Sequence, residues 1–559
     1  MRFFVLGLFL TLPAGWTAEH NSLLPRPQEV RYGAGRLVLR GLTIRFSSAP
    51  SADDRFAAEE LSSALSVAAH SPVSLVDSAG SGREIVFTRT GNAPALPASD
   101  ERGGREAREA YTLKVTPQGA EVRAKSSAGL FYAVQTLCQL VEVSGEQAVL
   151  PEVEIQDWPS LAYRGFMMDT SHGQLPTEDE IKRQIDFLSR WKANQYYFYS
   201  EASIEVRGYP LVNPAARYSQ EQIKRLIAYA RERHVDVVPC MEFFGHMHDV
   251  FRVERYSDMA SLRYGGEFNP RDPRVRAFLE EWVGQMAELF PSPWFHIGFD
   301  EPWALELFGS RATGVPAGEL YIEHLKNVAA IVRKHGKRMM FWADMASGAR
   351  IFSHYPELIS QLPPGAIAVP WHYRAEKDYT RIVAPLEKAG LPMVVAPARL
   401  ERLRARESEL RQARLSAEEA QEHLQRALSL NGDAATLSSL LLGARMLDYL
   451  GMKNLYSIEI AGYFRRLEPN PQRDLVNLLL RIQTGSQNHG LIQDLLDSIT
   501  ELRELYRQAW QSEYRSYRLG TALGRWDAEY EYWRSMQAKF QGLNAGEPVP
   551  PLDRFRHGH

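Results

Sequence analysis

Residues 294–303 read WFHIGFDEPW, an apolar run that delivers two adjacent carboxylates, Asp300 and Glu301, and then Trp303. Burying charge is costly unless the charge is paired or used, so a run with this ending predicts a strand end that opens on a cleft. Two carboxylates held close together cannot both ionise freely. One is pushed up and can give a proton near neutrality while the other stays charged, which is the division of labour that glycosidic bond cleavage requires. A bare Asp-Glu dipeptide in a solvated loop would mean nothing of the kind. Here Trp294, His296 and Trp303 flank the pair and a buried strand is expected before it, which marks it as a site.

Other residue patterns are weaker. Glu242, His246 and His248 stand as E-x3-H-x-H, but a catalytic zinc needs three ligands converging on one point and no independent cluster supports that, so neither metal nor cofactor is expected. The glycines of GSGRE, 80–84, precede a strand and lack the lysine of a phosphate loop, so they make a turn. Asp344, just past Trp342, reads as a supporting acid or as a helix N-cap, with the cap favoured. Trp342 and Trp371 each end a predicted strand, and serve either as apolar walls of a pocket or as barrel packing.

The elements that must position these groups follow from periodicity. Candidate strands at 163–168, 195–199, 236–241, 294–298, 338–342, 367–371 and 392–396 alternate with helical patterns such as TEDEIKRQIDFLSRW and SQEQIKRLIAYARER. Apolar strands alternating with helices predict a parallel sheet covered by helices, a (β/α) barrel in an α/β fold. In such barrels reactive residues sit at strand C-terminal ends, where Asp300 and Glu301 fall after the fourth strand. A closed barrel needs eight strands and only seven are found, leaving it open, irregular or short of an element. Residues 19–158 mix strands and helices as a small α+β domain, 159–400 hold the barrel, and 401–559 read as helices. A stripe of Trp510, Tyr514, Tyr517, Trp526, Tyr530 and Trp533 in that last region suits a sugar subsite or a helical core, and its helical spacing favours the core.

The chain has 559 residues, 45% hydrophobic and 24% charged, with a formal charge of −3, so it holds no basic excess to neutralise nucleic acid or an anionic membrane. Residues 1–18, with one basic residue, an apolar core and small residues near Ala18, have the layout of a secretory leader, which predicts a secreted or periplasmic protein that is free of the membrane after processing. Cys138 and Cys240 lie in apolar segments and suit two buried thiols better than a disulfide framework. Oligomeric state cannot be read from the sequence.

HIGFDE resembles the HIGGDE-type motif of glycoside hydrolase family 20, the β-N-acetylhexosaminidases. YRGFMMDT at 163–170 resembles the family's first barrel strand, VVPCMEFFGHMHD at 237–249 its third, and LLPRPQEVRYGAG with SSAGLFYAVQTLCQLV the small domain that precedes the barrel. The resemblance covers about residues 20–397. It implies that Glu301 is the general acid and that Asp300 orients the substrate's 2-acetamido group, whose carbonyl attacks the anomeric carbon. It further implies that Arg164, Glu242, His246, His296, Trp342 and Trp371 bind a carbohydrate carrying GlcNAc or GalNAc. Several positions depart from the family pattern. YYFYSEAS replaces its His-Leu-His-Leu strand and leaves only Glu201 as an acid there, MDTSHGQ lacks its Arg-His pair, FFGH stands for Pro-Gly-His, and its late-barrel Tyr and Trp have no match. Those departures leave a related acetamido-sugar glycosidase and a non-catalytic carbohydrate-binding protein on a degenerate barrel as alternatives.

Overall fold

The structure, a computed structural model, describes residues 23–543 apart from 81, 145–146, 306–309, 347–349, 373–377, 398–406 and 468–490. The expected leader, the helical pattern RDLVNLLLRIQ and the tail past residue 543 lie outside the described residues.

The first domain is a mixed sheet of β1 (Glu29–Val38), β2 (Thr43–Phe46), β3 (Ser74–Leu75), β4 (Glu84–Arg89), β5 (Tyr111–Thr116), β6 (Gly119–Ala124), β7 (Glu142–Ser144) and β8 (Gln147–Asp157), ordered β1-β8-β5-β6-β4-β2-β3 with β7 on β8. Alternation in YTLKVT buries Tyr111, Leu113 and Val115 and exposes Thr112 and Lys114, as a sheet with one packed face requires. Two helices, α1 (Ala52–Ala69) and α2 (Ser127–Gln139), cover that face. Helix α2 is buried nearly all round because the barrel lies on its other side, where Phe131 meets the His234 ring at 5.2 Å.

The barrel strands are β9 (Gly165–Asp169), β10 (Gln195–Ser200), β11 (Asp236–Met241), β12 (Trp294–His296), β13 (Arg338–Ala343), β14 (Ile367–His372) and β15 (Ala396–Pro397). They form one parallel sheet in sequential order, with β9 and β15 at its two edges. Among the described residues the barrel is therefore open between its last strand and its first, in keeping with the seven strands read from the sequence. Helices α3 (Glu178–Arg190), α4 (Gln220–Glu232), α5 (Pro273–Leu289), α6 (Ala317–Lys334) and α7 (Thr380–Lys388) lie outside. Strand residues alternate between two apolar clusters. Tyr196, Phe198, Val237 and Phe341 join the outer core with the helices, while Tyr197, Tyr199, Val238, Cys240, Trp294, Met340, Trp342, Val369 and Trp371 line the hollow. Both cysteines are free thiols.

Among the described residues, four helices follow: α8 (Glu407–Ser429), α9 (Ala434–Leu467), α10 (Leu491–Glu513) and α11 (Leu519–Leu543). Much of the aromatic stripe is packing, as its spacing favours: Trp533 is buried in a core with Leu495 and Ile499, and Trp526 and Tyr530 lie against that core. Tyr514 and Tyr517 pack instead on the outer core of the barrel. No described helix is long and apolar enough to cross a membrane.

Candidate active site

A cavity of about 680 Å³ occupies the hollow of the open barrel, and His246, His296, Asp300, Glu301, Trp342 and Trp371 all border it. Strand β12 stops at His296 rather than running to residue 298, because Gly298 and Phe299 take φ of 71° and 79° and turn the chain over the strand ends. Glu301 and His246 also sit at positive φ, 51° and 57°. Side chains rarely adopt this conformation, and its concentration at the carboxylates indicates a loop held by its surroundings. The anchors are visible. Phe299 is buried beside Phe244 and Tyr321, and the Tyr321 hydroxyl donates to its carbonyl at 3.1 Å. A Cβ on Gly298 would fall 1.9 Å from Glu242 Oε2, and one on Gly245 would fall 2.8 Å from the Asp300 carbonyl oxygen.

The acids are wired together. Asp344 is wholly buried and accepts from the Glu301 N–H at 2.8 Å and from the Trp371 indole N–H at 2.6 Å. Burial first, and then the Asp300 charge, push its carboxyl well above the usual range. Glu242, also buried, accepts from the Phe299 N–H at 3.3 Å, and desolvation followed by the charges of Asp300 and Glu201 raises its carboxyl strongly. Glu242 Oε1 and Asp300 Oδ1 are buried without a donor, and one proton carried by Glu242 and donated to Asp300 satisfies both atoms. His246 stands between the carboxylates, with Nδ1 3.5 Å from Glu201 Oε1 and Nε2 3.5 Å from Asp300 Oδ2 and 3.8 Å from Glu301 Oε2. Burial alone would lower its pKa, but the hydrogen bond to Asp300 and the charges of Asp300, Glu201 and Glu301 outweigh it and raise His246 to about 9. His296 shows the opposite balance. It is fully buried with its ring centroid 4.5 Å from that of Trp342, and desolvation depresses it to about 3, so it is a neutral part of the floor.

Family models match the chain twice in succession: Glycosyl hydrolase family 20, domain 2, over residues 20–158, and Glycosyl hydrolase family 20, catalytic domain, over residues 161–431. The chain belongs to glycoside hydrolase family 20. Similar curated proteins include a Beta-hexosaminidase of Porphyromonas gingivalis, 31% identical over an aligned length of 285 residues that covers 43% of this chain and 36% of that protein. A Beta-hexosaminidase of Vibrio furnissii is 28% identical over an aligned length of 286 residues that covers 43% of this chain and 47% of that protein, so the match spans less than half of either relative. The fold is shared with the Streptomyces plicatus N-acetyl-beta-hexosaminidase in complex with Thio-NAglucal, at TM-score 0.54 and 23% identity over 67% of this chain and 74% of that one. It is shared also with the GH20 exo beta-N-acetylglucosaminidase of Vibrio harveyi, at TM-score 0.53 and 21% identity over 67% and 60%.

Within this family 20 chain the structure corrects three expectations, those for Arg164, Asp344 and Glu242. Arg164 does not reach the cavity. It precedes β9, at the N-terminal end of the barrel, and its guanidinium pairs with the buried Glu109 of the first domain while donating to the carbonyls of Leu161 and Lys192. Asp344 does not cap a helix with its side chain; it is the supporting acid. Trp342 and Trp371 combine the two roles left open for them, bordering the cavity while packing in the inner cluster. Glu242 lies behind the cavity wall rather than on it, whereas Trp303 is 54% exposed.

The site also holds His172 and Asp169, which the sequence did not single out, and Glu201, the acid left in YYFYSEAS. Asp169, the last residue of β9, and His172 just past it border the cavity, and His172 Nδ1 lies 2.8 Å from Asp169 Oδ2. Glu201 Oε1 accepts from the Tyr199 hydroxyl at 3.3 Å and lies 3.3 Å from His172 Nε2. One donor atom each from His172, Glu201 and His246 falls within 4.8 Å of the others, a set able to meet a cation. His172 and Glu201 have hydrogen-bond partners in the network, whereas His246 Nε2 is buried without one, 3.5 Å from Asp300 Oδ2. Their placement at strand C-terminal ends was the available signal.

Proposed function

We propose that the protein is a retaining glycosidase that removes terminal β-linked N-acetylhexosamine from glycans, with the substrate's own amide as nucleophile. The observation that carries this reading is the pair itself: Asp300 and Glu301 are neighbours on one loop at an aromatic-walled, sugar-sized cavity. Neighbouring acids on one loop suit a reaction whose nucleophile belongs to the substrate, since a protein nucleophile would stand across the sugar from the acid, about 5 Å away. Glu301 gives its proton to the leaving oxygen as the C1–O bond breaks. Asp300 accepts the acetamido N–H and turns the carbonyl oxygen onto C1, closing an oxazolinium ring whose charge it offsets. Water then opens the ring at C1 and yields its proton to Glu301, so two inversions give retention. Trp342 and Trp371 wall the sugar, and Asp344 fixes Trp371 and the Glu301 backbone in one frame. The names of the relatives support the same substrate class. The leader pattern of residues 1–18 supports a secreted or periplasmic location, checked by fractionating the expressed protein.

Chromogenic β-glycosides of GlcNAc, GalNAc and glucose test the reading. The acetamido sugars should be cleaved and the glucoside should turn over at least about 100-fold more slowly, while Glu301→Gln should lose about 10²–10⁴-fold in kcat. Comparable cleavage of glucosides would rule out the amide as nucleophile. A wild type that binds acetamido sugars but cleaves none would favour a binding protein on the open barrel.

A further inference from the structure

The C-terminal helices meet the barrel at α3, where Arg183 donates to Thr436 of α9 at 3.4 Å, and through the turn between α10 and α11. Thr177 donates its N–H and hydroxyl to the Glu513 carbonyl at 3.0 and 3.1 Å, Tyr514 bridges Pro176, and the Arg515 N–H donates to the Leu175 carbonyl at 2.9 Å. The Arg515 guanidinium stacks over Tyr218 at 4.6 Å and donates to the Arg217 carbonyl at 3.0 Å. Arg518, itself at φ 57°, reaches furthest toward the cavity and donates to the Ser171 carbonyl at 3.1 Å. Residues 171–177 are thus clamped along their length by a segment more than 330 positions later.

That clamp bears on the acid network. Ser171 Oγ accepts the Glu201 N–H at 2.9 Å, and the Ser171 N–H donates to Asp169 Oδ1 at 2.8 Å. Glu201 in turn faces His246 at 3.5 Å, and His246 faces Glu301 at 3.8 Å. Strand β9 is a sheet edge, paired with β10 alone among the described residues, so the loop leaving it lacks the neighbour that a closed barrel would put beside it.

We propose that Arg518 is a positioning residue for the reaction: through Ser171 it holds Glu201, and so His246, in register with Glu301. This rests on the glycosidase reading above. A small displacement of a proton-handling group costs rate far more than it costs binding, so the effect belongs in kcat.

The test is a double-mutant cycle in the full-length protein, read by kcat, KM and Tm on an acetamido-sugar glycoside. Arg518→Ala should lower kcat about tenfold with KM changed less than about twofold, and Arg518→Lys, which keeps a donor for the carbonyl, should recover most of the loss. Ser171→Ala cuts the same path at the Glu201 end, so the double variant should be little worse than either single one. Arg503→Ala, which breaks a pair with Asp527 inside the helices, should leave kcat unchanged. Unchanged kcat in Arg518→Ala, strictly additive losses, or a fall in Tm alone with kcat intact would each overturn the proposal. A wild type inert on every acetamido sugar would instead overturn the glycosidase reading, so the two failures are distinguishable.

Discussion

Asp344 takes two donors, the Glu301 N–H and the Trp371 indole, and so joins the proton donor's backbone to an aromatic wall of the cavity. Removing the carboxylate leaves both donors buried and unpaired, so Asp344→Ala should lower kcat/KM by about 10–100-fold and shift the tryptophan fluorescence, with Asp344→Asn milder because it keeps one acceptor. Gly298 is the other sensitive position. Its positive φ and the Glu242 carboxylate beneath it leave no room for a methyl group, and Gly298→Ala should cost about 2–4 kcal/mol in urea unfolding. The acid pair and its aromatic walls were legible in the sequence because apolar strands end on them. The reason for Gly298 was not, since Glu242 meets it only once β11 and β12 lie side by side. The position of Asp344 misled for a similar cause: a residue after a strand looks like a cap until its burial and its two donors are seen.

At the scale of elements, polar groups below the barrel form the seam with the first domain. Arg164 and Asn194 both hold Glu109, while Lys192 donates to Asp157 at 2.7 Å. Partly stranding a buried carboxylate is expensive, so Arg164→Ala should lower stability by roughly 2–4 kcal/mol. The folded enzyme should keep its KM, as measured by unfolding and steady-state kinetics; a raised KM at unchanged stability would return Arg164 to the sugar. The family pattern pointed to the sugar because it fixes a residue type at a position. A side chain at the N-terminal start of an edge strand can nevertheless turn down into the seam. Strand number and order were legible from the alternation of helical and strand periods. The shortness of β12 was not, because it comes from the positive φ of Gly298 and Phe299, which the apolar pattern of WFHIGF does not encode.

Across the whole molecule the titratable groups set a pH window. His246 is raised from 6.5 to about 9, so the stability it contributes is present in full below pH 6.5 and is lost as pH rises through 9. Glu242 and Asp344, raised by burial, hold protons that the unfolded chain releases, and they too cost stability as pH rises. His234 and His324, depressed to about 4, and His296, depressed to about 3, act in the other direction and cost stability as pH falls below 6.5. Tm should therefore decline from pH 6.5 toward pH 9, a range in which the three depressed histidines are neutral in both states, and His246→Gln should flatten that decline; an equal slope in that variant would assign the decline to other groups. The three-part organisation was legible from composition and period. The support that the C-terminal helices give the β9 loop was not, because it joins residues 513–518 to 171–177 through packing that no local pattern records.

The central claim is that the substrate's amide carbonyl attacks C1 while Glu301 gives the proton. A series of aryl β-glycosides whose N-acetyl group carries zero, one, two or three fluorines measures it directly, because each fluorine weakens the carbonyl as a nucleophile while leaving the leaving group unchanged. The rate constant should fall steeply and monotonically across the series; a flat series in an active enzyme would contradict the account.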